Sequence, residues 1–340
     1  MFNFTKTEIL GLDIGSSSVK AVRLRKDESG YSVAAAGITE VAASEEENNH
    51  LNTVNAIREC FELVGGRTPL AVCGLSGPEV AVRDFEFPSL STSELDGAVV
   101  FEASQVCPFN AAESVVDYHL ISNDDDKTKG VLVAAMNTLV TDKANLAKEA
   151  ALKCVMMDVE GLALLNCFTS LAGNSDKSTI AILNVGSSRT TLAIMGDNSR
   201  PFVRDMNFAG NDIIKQIAAD KSMSTEDVRS ILSGKSKTTQ IELSDSLGKA
   251  CKQLIVDASN TLRYYATQEQ STPVEKIFVC GGFALANGFV ELLSSSFRIE
   301  AVLWNPFEKI SCDTDPQFGD ICGEKGPALA VAAGLAMRSV

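Results

Sequence analysis

Two segments of this chain repeat one another half a chain length apart. Ile9–Val22 reads ILGLDIGSSSVKAV and Ile180–Ala193 reads IAILNVGSSRTTLA. Aligned, Asp13 falls on Asn184, Gly15 on Gly186, and Ser16 and Ser17 on Ser187 and Ser188, an offset of 171 (184 − 13) in 340 residues. Each copy is an apolar strand, a Gly-Ser turn and a second β-rich strand, which is a hairpin pattern. Two copies this far apart predict two similar α/β lobes. The other reading, two unrelated hairpins that share a turn chemistry, is opposed by a match that runs beyond the turn.

Such a turn has specific chemistry. Glycine lets the backbone approach a ligand closely. The N–H groups of Gly15, Ser16, Ser17 and Ser18, and of Gly186, Ser187 and Ser188, can line anion-binding concavities, with serine hydroxyls added. Two such hairpins facing each other across a cleft would hold a polyphosphate from both sides. Asp13 ends its strand, where a carboxylate suits Mg²⁺ directly or through water; it also suits a plain turn former. Lys20, on the return strand, reads as a phosphate-directed point charge or a solvated strand residue. Thr190 holds the corresponding return strand of the second copy. A third glycine signal is Lys276–Phe289, KIFVCGGFALANGF. It reads as a buried strand, Gly281-Gly282-Phe283, and a helix from near Ala284, again a place for close ligand approach.

Composition narrows the classes. Hydrophobic residues are 45% and charged residues 22%, so the chain can bury a core and is not mainly disordered. The net charge of −14 repels phosphate backbones and opposes non-specific nucleic-acid binding. The nine cysteines include no C-x-x-C pair, and the two histidines, His50 and His119, form no cluster. Zinc sites and disulfide frameworks are therefore not expected, and reduced, buried thiols in a cytosolic protein are. The start MFNFTKTEIL is no signal peptide, and the run Pro327–Met337 is too short to span a bilayer.

The ordered set D-x-G-S-S, N-x-G-S-S and G-G-F resembles the phosphate and adenosine motifs of the actin-like ATPase superfamily, which includes actin, sugar kinases and FtsA. Gly326–Arg338 (GPALAVAAGLAMR) resembles its closing connecting helix. Within the superfamily the chain resembles the PilM family of type IV pilus assembly proteins. The segments that carry this are Phe101–Leu120 (FEASQVCPFNAAESVVDYHL), Asp158–Leu165 (DVEGLALL), Phe208–Ile217 with its Ala-Gly-Asn-Asp, and the terminal GLAMR. The resemblance implies an α/β, two-lobed fold with ribonuclease H-like lobes. It implies ATP and Mg²⁺ held through Asp13, Gly15–Ser18, Lys20, Gly186–Ser188, Thr190, Gly210, Asn211 and Gly281–Phe283. Many superfamily ATPases have an Asp where Asn184 stands. An amide is no base, which places hydrolysis in question more than binding. Glu160 is the one acidic residue nominated to orient a water, and it equally suits a helix-start carboxylate. Thr225–Leu232 lacks the lysine common in relatives, with Arg229 as substitute.

The remaining chain predicts helices at Asn52–Leu63, Thr92–Val106 (capped by Ser91 or Thr92, stopped at Pro108), Leu139–Leu152, Ala209–Ala219, Thr225–Leu232 and a long amphipathic Asp245–Thr267. Strands are expected at Leu70–Cys73, Val80–Phe87, Val115–Ile121 and Gly130–Met136. The acidic runs Glu45–Glu47 and Asp124–Asp126 read as solvated loops. The β-α-β-β-α block over 80–152 is expected as a small module inserted in the first lobe. That leaves 1–79 with 153–175 and 325–340 as the first lobe's core, and 176–324 as the second lobe. PilM and FtsA carry such a module.

Three functions remain at this point. The resemblance implies a cytoplasmic ATP-binding scaffold of the pilus machine, with weak or no hydrolysis. It would dock the N-terminal tail of the inner-membrane protein PilN and lie at the inner membrane through that partner. A small-molecule kinase of the superfamily is the alternative, but it needs a carboxylate base and no convincing acceptor motif is present. An FtsA-like, membrane-tethered filament former is the third, and Arg338 alone makes a poor lipid anchor.

Overall fold

A computed structural model gives the architecture. It describes residues 8–28, 30–43, 46–66, 69–123, 126–172, 178–196, 200–235, 241–268, 271–312 and 316–338. Most of Glu45–Glu47 and of the Asp124–Asp126 run lies outside the residues whose side chains are described. The chain divides into two compact units, Met1–Gly74 with Asp142–Gly173 and Trp304–Val340, and Leu75–Thr141 with Asn174–Leu303.

The first unit begins with β1 (Leu10–Ile14), β2 (Ser18–Asp27), β3 (Gly30–Glu40), α1 (Glu46–Leu63) and β4 (Leu70–Leu75). After the excursion into the other unit come β8 (Lys153–Val159), α4 (Glu160–Ala172), α10 (Pro316–Lys325) and α11 (Ala330–Ala336). The sheet order is β3-β2-β1-β4-β8. β1 is antiparallel to β2 and parallel to β4. All five β1 residues are buried, as a central strand covered on both faces requires. One covering element is α11, AVAAGLA, buried throughout. Its small residues let backbones touch. A methyl on Gly11 would lie 2.0 Å from the Ala332 carbonyl oxygen, and one on Gly334 would lie 2.2 Å from that of Ala163. The Arg338–Asp158 ion pair, with Nη2 donating to Oδ1 at 3.0 Å and Nε 2.7 Å from Oδ2, pins the end of this helix to the end of β8.

The second unit holds two sheets. β5 (Val80–Pro88), β6 (Ser114–Asn123) and β7 (Lys127–Met136) form a three-stranded sheet of order β5-β7-β6 with α2 (Thr92–Val106) between β5 and β6 in sequence, and α3 (Asn137–Glu149) follows β7 directly and belongs to the first unit from Asp142 onward. The helix α2 buries Leu95, Val99 and Ala103, four residues apart, on Phe85 and Leu132. Ser91 caps it, and the Glu94 carboxylate accepts from the Ser91 N–H at 3.0 Å and its hydroxyl at 2.5 Å. The larger sheet contains β9 (Ile180–Val185), β10 (Thr190–Met195), β11 (Pro201–Met206), β12 (Lys276–Cys280) and β13 (Glu300–Leu303), in the order β11-β10-β9-β12-β13. It carries α5 (Gly210–Lys221), α6 (Thr225–Leu232), α7 (Ile241–Ala250), α8 (Lys252–Ala266) and α9 (Phe289–Ser296). β9 is antiparallel to β10 and parallel to β12. The repeat thus extends from a hairpin to a five-strand order: each copy has its meander of three strands and its parallel neighbour on the other side.

Within this unit the small sheet meets the large one through β5 and β11. Arg200 reaches Asp84 at 3.1 Å and Glu86 at 3.3 Å. The Gly77 N–H donates to Asp205 at 2.7 Å, and Arg189 donates to the Ser76 carbonyl at 2.6 Å.

Three expectations need correction. The long helix over Asp245–Thr267 is two, α7 and α8, interrupted at Cys251 with ψ −6°. The helix expected near Ala284 is a 3-10 turn, Gly282–Leu285, and α9 starts only after Gly288 at φ 78°. The helix α3 ends at Glu149, because Ala151 takes φ 62° and turns the chain into β8.

Candidate functional site

The two hairpins share one register. In the first, Asp13 lies opposite Lys20 and Ile14 opposite Val19, and the Gly15 N–H closes the turn on the Ser18 carbonyl at 3.1 Å. In the second, Asn184 lies opposite Thr191 and Val185 opposite Thr190, and the Gly186 N–H closes on the Arg189 carbonyl at 2.9 Å. Position for position these are the same turn, so the sequence alignment is also a backbone alignment.

The first turn is charged. Asp13 is buried, 7% exposed, and its carboxylate pairs with the Lys20 ammonium at 3.0 Å. Ser16 and Ser17 project outward and are exposed. A second ammonium is present that no motif announced. Lys143, on α3, donates to the Ile14 carbonyl at 2.7 Å, between Asp13 and Gly15. At the end of the neighbouring parallel strand, Glu160 packs its side chain on Gly74, where a methyl would meet Glu160 Cγ at 2.9 Å. Asp13, Lys20, Lys143 and Glu160 therefore gather at the carboxyl ends of β1 and β4, where open α/β sheets place their ligands.

The second turn has no Asp–Lys pair at its strand end, where Asn184 lies opposite Thr191, and it is shaped by close packing. The Gly210 N–H donates to the Gly186 carbonyl at 3.0 Å and the Asn211 N–H to the Ser187 carbonyl at 2.7 Å. The Thr190 hydroxyl donates to the Phe208 carbonyl at 2.8 Å, so it anchors the chain leading into α5. Gly281 has φ 94°, and a methyl there would lie 2.4 Å from the Val185 carbonyl oxygen. A methyl on Gly210 would lie 2.6 Å from the Phe283 ring. Glycine is required at both, because two backbone segments and an aromatic ring already occupy the space. Arg229 donates to Asn211 Oδ1 at 2.6 Å. Gly186–Ser188, Gly210, Asn211, Arg229 and Gly281–Phe283 thus form one cluster within the second unit.

Where the first copy has Lys20, the second has Thr191, whose hydroxyl donates to Asp205 at 2.6 Å. Sequence reasoning missed Asp205, since β11 was not anticipated. Burial pushes its carboxyl above the usual range, and the hydrogen bonds from Thr191 and Gly77 act against that. Among the described residues no group of three or more His, Cys, Asp or Glu side chains can hold a metal. All nine cysteines are free thiols. Burial pushes Cys167 and Cys251 up to about 12, and Cys60 likewise, which makes them inert apolar side chains at neutral pH. His119 is exposed on β6, and among the described residues no helix is long and apolar enough to cross a membrane.

The fold has counterparts among solved structures. The chain is similar to the protein of a PilM-PilN type IV pilus biogenesis complex, with TM-score 0.81 and 22% identity over 98% of this chain and 99% of that one. It is similar to the ethanolamine utilization protein EutJ from Carboxydothermus hydrogenoformans, with TM-score 0.57 and 14% identity over 96% and 88% of the two chains. It is also similar to a diol dehydratase-reactivating factor in nucleotide-free form, with TM-score 0.55 and 10% identity over 96% and 98%. The fold is that of the actin-like ATPases. The family model described as type IV pilus assembly protein PilM matches residues 11–340. The chain, with its paired glycine turns and its duplicated five-strand order, belongs to the PilM family of type IV pilus assembly proteins.

Proposed function

We propose that this chain is an ATP-binding scaffold of the type IV pilus assembly machine that docks the N-terminal tail of a PilN-type inner-membrane protein. The observation that carries the nucleotide part is the buried Asp13–Lys20 pair beside a glycine-closed turn. A buried ion pair at a strand end is an unusual place for charge, and it suits a site that receives a phosphate with its cation. Magnesium takes one or two carboxylates and completes its shell with phosphate and water, so a single Asp13 fits it. The residues that would hold the nucleotide are Gly15–Ser18 and Lys20 for phosphate, Gly186–Ser188 and Thr190 for phosphate, and Gly210, Asn211 and Gly281–Phe283 for ribose and base. The magnesium ion would neutralise phosphate charge.

Asn184 supports binding with slow or absent hydrolysis. Its amide has no basic electron pair to take a proton from water, and Glu160 is the remaining carboxylate for that task. The partner part rests on family membership and on the likeness to the protein of the PilM-PilN complex. The chain would then sit at the inner membrane through its partner, with ATP as the ligand that tunes partner binding by its differential affinity for two states. Two titrations on one sample test this: Mg·ATP by calorimetry, then a synthetic PilN-type tail with and without the nucleotide. Binding of both, with the tail's affinity changed by ATP, supports the reading. A tail that does not bind removes the scaffold role.

A further inference from the structure

The small sheet ends in an unpaired edge. Its order β5-β7-β6 gives β6 a strand partner on one side only. The alternation of an antiparallel ladder decides which backbone groups of β6 face outward. The Met136 N–H donates to the Glu79 carbonyl on the β5 side, so Leu132, Ala134 and Met136 of β7 turn toward β5. The β6 residues opposite them, Tyr118, Val116 and Ser114, therefore turn toward the open edge. Leu120, opposite Gly130, continues this set, and a bulge before Ser122 ends it. The Tyr118 N–H agrees with this direction, since it donates to the Asp117 carboxylate at 2.8 Å. The outward groups of Val116, Tyr118 and Leu120 are thus centred on Tyr118, with Asp117 and His119 exposed on either side of it. The helix α2 reaches the same edge. The Tyr118 hydroxyl donates to Asp96 at 2.8 Å, and Val100, one turn further along, is 55% exposed beside the exposed small residues Gly97 and Ser104.

We propose that β6 is a self-association edge, pairing antiparallel with β6 of a second copy of this chain about a two-fold axis at Tyr118. The strand is self-complementary in that register. Val116 faces the partner's Leu120 and Tyr118 faces its own copy, which supplies about six ladder hydrogen bonds. Asp117 faces the partner's His119, twice over, in the non-hydrogen-bonded pairs where side chains come closest. A carboxylate opposite an imidazole is the charge match that points to a second copy, because a two-fold interface meets each patch with itself. On pairing, Asp117 releases the Tyr118 N–H to the partner's Tyr118 carbonyl. The two α2 helices then run antiparallel on one face of a joined sheet, with Gly97, Val100 and Ser104 on their facing shoulders. The two Asp96 carboxylates approach the axis and oppose association. A strand edge with one helix shoulder is a small interface, so the dimer should dissociate at micromolar concentrations. Neither nucleotide nor tail is needed for it.

Sedimentation velocity of the full chain from about 1 to about 200 µM, without nucleotide, reads the association. The variants are Val100→Glu, His119→Asp, Asp96→Asn and the exchanged pair Asp117→His with His119→Asp. All four positions are exposed, so melting temperatures should stay near that of wild type and verify folding. Wild type should pass from monomer to dimer across the range. His119→Asp sets carboxylate against carboxylate in both pairs, and Val100→Glu puts charge between the helices. Each should weaken the dimer about tenfold or more. The exchanged pair restores the match and should return to within about threefold of wild type. Asp96→Asn should tighten it. A wild type that stays monomeric overturns the inference; if its binding of a PilN-type tail is then lost in Val100→Glu, the edge belongs to that partner. A dimer indifferent to His119→Asp and Val100→Glu uses another surface and also overturns it. So does a loss in His119→Asp that the exchanged pair fails to recover.

Discussion

The two hairpins share a backbone and differ in how they are held. In the first, the position opposite Asp13 is Lys20, and charge fills the strand end. In the second, the equivalent positions are Asn184 and Thr191, and glycines at 210 and 281 let neighbouring backbone close in. A register preserved at every turn position while side-chain chemistry diverges shows that the turn conformation is the duplicated element. The charge was either added to one copy or lost from the other. The first copy is then sensitive to charge and the second to volume.

The largest expected effect breaks the second copy by volume. Gly281→Ala forces a left-handed residue and pushes a methyl within 2.4 Å of the Val185 carbonyl. The backbone strain and overpacking together cost about 2–4 kcal/mol, read as a lower urea midpoint. Gly15→Ala, whose methyl meets the Ser18 carbonyl at 2.9 Å and the movable Lys20 ammonium at 3.3 Å, should cost less than half of that. Equal losses would contradict the contrast.

Next comes the charge. Lys20→Met leaves the Asp13 carboxylate buried without its cation and should destabilise the ligand-free chain by roughly 1–3 kcal/mol. Thr191→Val, at the equivalent position, leaves Asp205 its hydrogen bond from the Gly77 N–H. It should cost about 1 kcal/mol. Denaturant titration of both variants measures the difference.

The smallest effect concerns pH. Burial raises the Asp205 carboxyl. Between its ordinary and its raised value the folded chain keeps a proton that the unfolded chain has released. Stability therefore falls as pH rises through that interval and recovers below it. Asp205→Asn should remove this contribution, while Asp158, also raised by burial, keeps its own. Urea midpoints from about pH 4 to about pH 7 would show a shallower slope in the variant. An unchanged slope would mean that Asp205 titrates normally.

Much of the fold is readable from the chain because the repeated turns and their flanking apolar strands are local patterns. The three strands and capped helix of the small sheet are equally legible, since Val116, Tyr118 and Leu120 alternate inward. The missed strands are of another kind. β3 reads GYSVAAAGITE, rich in alanine and glycine, and forms only because β2 offers it a partner ladder. β13 is four residues long and pairs with β12 across an intervening helix. The interruption at Cys251 is a change in one ψ angle, which leaves the 3.6-residue pattern of apolar side chains almost untouched. In the candidate site, Asp13, Lys20 and the glycines carry motif spacing. Lys143 and Asp205 reach their turns only through tertiary packing, from α3 and from β11, so no spacing could reveal them.

The central claim is that the first turn recognises phosphate by charge and the second by shape. Calorimetry with Mg·ATP on wild type, Asp13→Ala and Asn184→Ala tests it most directly. The account predicts that Asp13→Ala loses binding by at least about a hundredfold, as expected when both a carboxylate and the order of its lysine are removed. Asn184→Ala should stay within about tenfold of wild type. Undiminished binding by Asp13→Ala, or a larger loss in Asn184→Ala, would contradict it.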